Sequence, residues 1–294
     1  MSHEPSALTA CEKFHIIWPW LLMHLYLTFC TLCLALLASA PLPPLTADQI
    51  ARLVQDRDTG RDSRAELRMK LFDRRDRVRE RALTLLTLRG REAPGAPKTA
   101  PDGDRLLIRF TYPNDIRGTS FLVWKHPSGE DERFLYLPSL GRVRRIAGSE
   151  AQDSFVGSDF SYEDIGGREL EDFTYALLDE NVAWISPDGA AHPAYRLGSK
   201  RRDPSATFPR VVSLVLKDSF VVVHADVYDR RDEKRKAYSV KRLQQVQGIW
   251  TVFESSMTND LDRTRTELVV EKIEYNIGLK EDGFSRRALE SPGT

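Results

Sequence analysis

The stretch Phe134-Leu-Tyr-Leu-Pro-Ser-Leu-Gly-Arg-Val-Arg-Arg-Ile146, with Ser154-Phe-Val-Gly-Ser-Asp-Phe-Ser-Tyr-Glu-Asp-Ile165 shortly after it, decides how this chain is read. The first part is a strand pair: an apolar run stopped at Pro138, a turn at Gly141 and a basic strand ending at Ile146. The second part does not alternate. Phe155, Phe160 and Tyr162 stand among small and acidic residues, a poor composition for a strand and a fair one for a short, partly exposed helical lid. The rest of the chain reads as β-sheet arranged around this segment.

Working outward, the period is mostly two. Ala65, Leu67, Met69 and Leu71 alternate with Glu66, Arg68 and Lys70. Further strands are expected at 78–88, 105–112, 119–125, 133–137 and 142–146, then at 173–178, 194–199, 210–216, 220–228, 237–247, 250–257 and 265–275. Gly, Pro, Asn or Asp stops most of them, and Lys217-Asp-Ser219 and Gln247-Gly248 have hairpin-turn chemistry. Short strands at this spacing predict an antiparallel sandwich or barrel. No helix-length crossover separates them, which argues against a parallel sheet. Thr46 with Gln49 has the form of a capping box ahead of a helix over 46–54, and 281–290 reads as a short C-terminal helix.

The chain carries 43 basic and 43 acidic residues and no net charge, which argues against a nucleic-acid binder. Residues 1–40 differ from the remainder. No Asp, Glu, Lys or Arg occurs from Ile16 to Ala40, and the run closes on Ala38-Ser-Ala40. This is an apolar core before a small-x-small site, so 1–40 is expected to be a secretory signal peptide or an uncleaved N-terminal membrane anchor. Both place residues 41–294, read as one domain, outside the cytoplasm. All three cysteines (Cys11, Cys30, Cys33) lie in or before that segment. The remaining chain must therefore hold its core without disulfides, which a domain of about 250 residues can do.

Catalytic motifs are absent: there is no G-x-S-x-G, no H-E-x-x-H and no glycine-rich phosphate loop. His224 and Asp226 share one face of a strand, but two groups make an incomplete metal site. Asp56–Asp62 has some of the look of a calcium loop without its closing glutamate, and reads as a turn. The charged run Arg230–Lys236 reads as a solvated hairpin end. Asp159, Glu163 and Asp164 could form an acid/base pair, yet Ser161-Tyr-Glu-Asp164 also has helix-start chemistry, with Ser161 as cap and the acids turned to water. Aromatic side chains on alternating strand positions either fill a core or line a cavity enclosed by a curling sheet.

Arg109-Phe-Thr-Tyr-Pro-Asn-Asp-Ile116, Gly118–Leu122, Phe134–Pro138, Arg142–Ile146 and Ser154–Asp164, with Arg57-Asp-x-Gly60 and Phe284–Leu289, resemble the outer-membrane lipoprotein-sorting protein family of LolA-like periplasmic proteins. The resemblance implies a mainly β protein: an incomplete, strongly curved antiparallel β-barrel covered by α-helices on its concave side, with an apolar cavity for acyl chains between. It implies a non-enzymatic periplasmic carrier of a lipid or lipoprotein, without cofactor, metal or catalytic residue. Its partners would be an inner-membrane exporter and an outer-membrane acceptor. An envelope-anchored sensor or interaction module, or an accessory subunit of an inner-membrane lipid exporter, is the alternative on the same fold. On this reading Phe155, Phe160 and Tyr162 lie on the lid, and Phe110, Phe121, Trp124 and Tyr136 line the cavity.

Overall fold

The computed structural model describes residues 44–91, 100–127 and 129–290. The expected leader over 1–40 lies outside them. From Thr46 onward the chain forms one compact unit.

A ten-residue helix, α1 (Ala47–Asp56), opens the fold. The Thr46 side chain accepts the Gln49 N–H, and Gln49 reaches back to the Thr46 N–H at 2.8 Å, so the capping box forms as read. Thirteen strands follow among the described residues: β1 (Asp62–Phe72), β2 (Val78–Leu88), β3 (Arg105–Tyr112), β4 (Ser120–Trp124), β5 (Glu132–Leu137), β6 (Arg142–Ile146), β7 (Phe173–Ile185), β8 (Ala191–Arg201), β9 (Arg210–Leu216), β10 (Val222–Tyr228), β11 (Lys234–Val246), β12 (Ile249–Asn259) and β13 (Thr264–Tyr275). A one-turn helix, α2 (Tyr162–Gly166), lies between β6 and β7, and α3 (Arg286–Glu290) ends the described chain.

All the strands belong to one sheet, in the order β6-β5-β4-β3-β2-β1-β13-β12-β11-β10-β9-β8-β7, with every neighbour antiparallel. The sheet is open: β6 and β7 are its two edges and do not pair. The fold is thus mostly β with few helices, in an unclosed antiparallel sheet, as the resemblance implies. β1 is joined to β13 by pairs from Ser63↔Tyr275 to Phe72↔Arg265, which brings the ends of the domain together in mid-sheet.

Most strand boundaries agree with the sequence, and the differences have local causes. β7 runs seven residues beyond its expected end because register shifts between Leu177 and Val182 break the alternation that marks a strand. β10 begins at Val222 rather than Phe220 because Phe220 takes a left-handed conformation (φ 52°) in the turn from β9. At the β11–β12 hairpin, Gln247 and Gly248 both have positive φ (54° and 81°), the geometry of a tight turn that matches strand twist.

Two apolar clusters lie on opposite faces of the β1–β6 half. Inward positions Leu67, Met69, Ile108, Phe110, Phe121 and Val123 belong to one. The alternate positions Leu107, Leu122 and Phe134 meet Phe284 and Leu289, from the C-terminal segment, in the other. The C-terminal helix therefore covers the outer face, whereas the resemblance puts the helices on the concave side. Trp124 Nε1 donates to the Phe284 carbonyl at 2.7 Å, and Arg109 donates to that of Ala288, which fixes the segment there.

Candidate functional site

Since β6 and β7 are the edges of the sheet, their connection, residues 147–172, must cross its concave face. Its contacts trace that path. Phe155 packs on Phe110 and Phe121 of β3 and β4, with ring centroids 5.9 and 5.4 Å away. Asp159 then reaches β13: its backbone N–H donates to Thr266 Oγ1 at 3.0 Å, and both threonine hydroxyls, Thr264 and Thr266, donate to its carboxylate. Lys236 on β11 donates to the Asp159 carbonyl at 2.9 Å. Phe160 meets Tyr238 of β11 at 6.4 Å, and Glu163 pairs with Arg201 at the end of β8.

The segment has little regular structure of its own. Ser161 caps α2 by accepting the Asp164 N–H at 3.1 Å, as its sequence indicates. Val156 sits in the left-handed region (φ 49°, ψ 38°), costly for a β-branched residue, and its carbonyl accepts from Arg81 at 2.6 Å. The acids are not turned to water. Asp159 and Glu163 are buried, and Asp164 is largely so. Glu163 is held by Arg201 and Arg168, and Asp164 by Arg168 at 2.8 Å. Burial alone would raise the Asp164 carboxyl, but Arg168 and Ser161 together outweigh it and hold it below the ordinary carboxylate range. The cations that draw these acids inward come partly from β8, far along the chain.

Beneath the segment and α1 lies a cavity of about 590 Å³, adjoined by a chamber of about 400 Å³ with which it shares walls. Its lining is aliphatic for the most part: Leu67 and Met69 of β1, Leu83 and Leu85 of β2, Val215 of β9, Val227 of β10, Val252 of β12 and Leu268 of β13. Side chains from both halves of the sheet reach the same space, which a strongly curved sheet allows and a flat one does not. Ala51 and Val54 of α1 and Phe155, Phe160 and Ile165 of the crossing segment close the other side. Tyr175 of β7 also faces the space, and burial pushes its phenol up to about 12. A volume of this size is typical of a small-molecule or lipid site.

Two parts of the wall are charged: Glu163, Asp164 and Arg168 on the crossing segment, and a border opposite them. Arg57, Thr59, Arg89, Asp104 and Lys125 border both chambers. Arg57 is the C-cap of α1 and leads into the turn read from Asp56–Asp62. That turn is pinned on both sides: Asp58 Oδ1 accepts the Gly60 N–H at 2.8 Å, and Asp62 accepts the N–H groups of Ile277 and Gly278. Burial lowers the Arg57 guanidinium from its ordinary value.

The structure separates the residues expected to bind. Phe155 and Phe160 border the cavity. Phe110, Phe121 and Tyr162 form, with Phe155, a packed aromatic cluster at one end of it and are not in its lining. Phe110, Phe121 and Phe155 are at most 1% exposed, so the cluster is filled core. Trp124 and Tyr136 lie on the outer face with the C-terminal segment, away from the cavity. The aliphatic lining and the Arg57–Lys125 border were not singled out from the sequence. The inward strand positions were its available signal, together with Arg57 in the Arg-Asp-x-Gly stretch.

Elsewhere, His224 and Asp226 face each other at 3.3 Å, and His224 Nδ1 meets Ser239 Oγ at 3.1 Å. Arg230–Lys234 is the solvated β10–β11 hairpin end, closed by Asp229 on the backbone of Arg231 and Glu233, but the run does not stay in water: Lys236 is buried in β11 beneath Asp159.

An open antiparallel sheet wrapped around a ligand-sized apolar cavity and bridged edge to edge by a buried segment is a LolA-like fold. A family model described as "Uncharacterized protein" matches residues 102–291, and the chain belongs to that family; solved structures similar to this chain include proteins described as outer membrane lipoprotein-sorting and LolA superfamily. A Vibrio parahaemolyticus domain described as an outer membrane lipoprotein-sorting protein is 28% identical, with a TM-score of 0.71 over 83% of this chain and 98% of its own. A DUF1329 family protein from Desulfovibrio piger is also 28% identical, with a TM-score of 0.70 over 83% of this chain and 97% of its own. A LolA superfamily protein from Nitrosomonas europaea, 16% identical with a TM-score of 0.61 over 83% of this chain and all of its own, shares the fold. No curated protein matches the chain significantly.

Proposed function

We propose that this protein is a non-enzymatic periplasmic carrier that buries the acyl chains of a lipid or lipoprotein between its sheet and the crossing segment, and moves that cargo toward the outer membrane. The observation that carries this reading is the aliphatic cavity of about 590 Å³ beneath residues 147–172. A lipid chain crossing water exposes methylene groups at a cost of about 0.8 kcal/mol each, and an apolar enclosure removes that cost. Residues 1–40 would export the chain or tether it to the inner membrane, where an exporter hands over the cargo before an outer-membrane acceptor receives it. Phe155 and Phe160 contact the chains, and the crossing segment opens to release them. Its short helical turns and its hold through ion pairs fit an element that must come away without unfolding the sheet.

The test is native mass spectrometry of the protein purified from its own cells. A co-purifying lipid or lipopeptide that is lost when the cavity is filled is the expected result. A ligand-free protein that takes up no lipid from vesicles would overturn the reading.

A further inference from the structure

We infer that the polar border of the cavity is an anion site, and that the cargo is a lipid whose acidic headgroup rests on Arg57 and Lys125 with its chains in the aliphatic space. This rests on the carrier reading above. Arg57, Arg89 and Lys125 border both chambers, and Asp104 is the carboxylate that borders them alongside. Asp104 is already committed: it lies 3.4 Å from Arg89 Nη1 and accepts the Gly90 N–H at 2.7 Å. Arg57 and Lys125 have no ion pair or hydrogen bond to a side chain among the described residues. Asp58, next to Arg57, accepts the Gly60 N–H and makes no ion pair with Arg57, and Asp131, whose carboxyl feels Lys125 without a direct contact to it, shares Arg133 with Glu169 at 3.2 and 3.4 Å.

Beside Arg57 in the wall stand a second cation, Arg89, and two phenols, Tyr238 and Tyr275. Burial raises both phenols, so neither supplies a negative charge at neutral pH. Across the cavity Glu163 and Asp164 are taken up by Arg201 and Arg168. An excess of positive charge therefore faces a largely apolar space, an arrangement that an incoming anion stabilises. The backbone makes room for it: a Cβ on Gly167 would fall 2.4 Å from Lys125 Nζ, so glycine at the end of α2 lets the ammonium sit under the crossing segment.

The test titrates the full chain calorimetrically with 1-palmitoyl-lysophosphatidic acid, with 1-monopalmitoylglycerol and with inorganic phosphate. The two lipids share one acyl chain and differ in the phosphate. The acidic lipid is expected to bind about tenfold more tightly at low salt, and added salt should shrink that margin. Arg57→Gln and Lys125→Gln should each erase most of the margin while leaving the glycerol lipid unchanged; an unaltered melting curve shows that each variant is folded. Equal binding of both lipids by wild type, or a margin that survives both substitutions, overturns the headgroup site and leaves the carrier intact. Inorganic phosphate that competes as well as the acidic lipid overturns it in favour of a free-anion site. Failure of both lipids to bind overturns the carrier reading, and the headgroup site with it.

Discussion

The two ends of the same concave face are built differently. At the β3–β6 end, Phe110, Phe121, Phe155 and Tyr162 close on one another with centroid distances of 5.4 to 5.9 Å. Toward the centre and the β8–β13 end, Val215, Val227, Val252 and Leu268 leave a cavity of about 590 Å³. Aromatic rings from facing elements span the gap between sheet and cover and fill it, whereas short branched side chains at the same inward positions stop short. One end anchors the crossing segment, and the other leaves it something to cover.

The largest expected effect comes from emptying the filled end. Phe121→Ala should cost about 3–5 kcal/mol of stability, read from urea unfolding, because the ring is wholly buried and the cluster has no room to collapse. A cost under about 1 kcal/mol would mean that this end is not the anchor. Next is the ion pair on the cavity side. Glu163→Ala takes the buried carboxylate from Arg201, about 10% exposed, leaving it only the more exposed Asp172 at 3.0 Å, and should cost about 2 kcal/mol. Hydrogen exchange should place that loss in residues 155–166, with β2 and β3 retaining their protection. An evenly spread loss would mean that the segment opens only with the whole fold.

Filling the hollow end should do the reverse. Leu268 borders both chambers and is only partly buried, so Leu268→Trp should change stability by less than about 1.5 kcal/mol while abolishing lipid uptake in a vesicle-transfer assay. Uptake at the wild-type level would relocate the ligand. The smallest effect is a pH dependence. The folded pKa of Asp164 is depressed, so its contribution is present in full above its unfolded value of about 4 and is lost as pH falls through the folded one. Protection of α2 should therefore weaken below about pH 4, and Asp164→Asn should flatten that dependence.

This contrast was partly legible in the sequence. Alternation gave β2, β3, β6 and β9 their full extents, and the Thr46 and Ser161 caps form as their spacing indicates. The unusual composition of Ser154–Ile165 marked the connection that, among the described residues, crosses the sheet. The facing of the aromatics was recoverable too. Phe121 and Trp124 are three apart on one strand, so a period of two puts them on opposite faces, and Tyr136, paired with Ser120, shares the Trp124 face. Treating all strand aromatics as cavity-facing ignored that parity. What the sequence withheld was long-range: that Arg201 and Thr266 draw the segment's acids inside, and that Arg57 and Lys125, 68 positions apart in number, border the same space. No local pattern encodes such meetings.

Acyl chains are expected to lie in the hollow end. The most direct measurement is the anomalous diffraction of crystals grown with a fatty acid brominated near its methyl end. The expected result is a bromine peak between α1, Val227 and Leu268, with the Phe110–Phe121–Phe155 cluster undisturbed. A peak within the aromatic cluster, or on the outer face beside Trp124 and Tyr136, would contradict it.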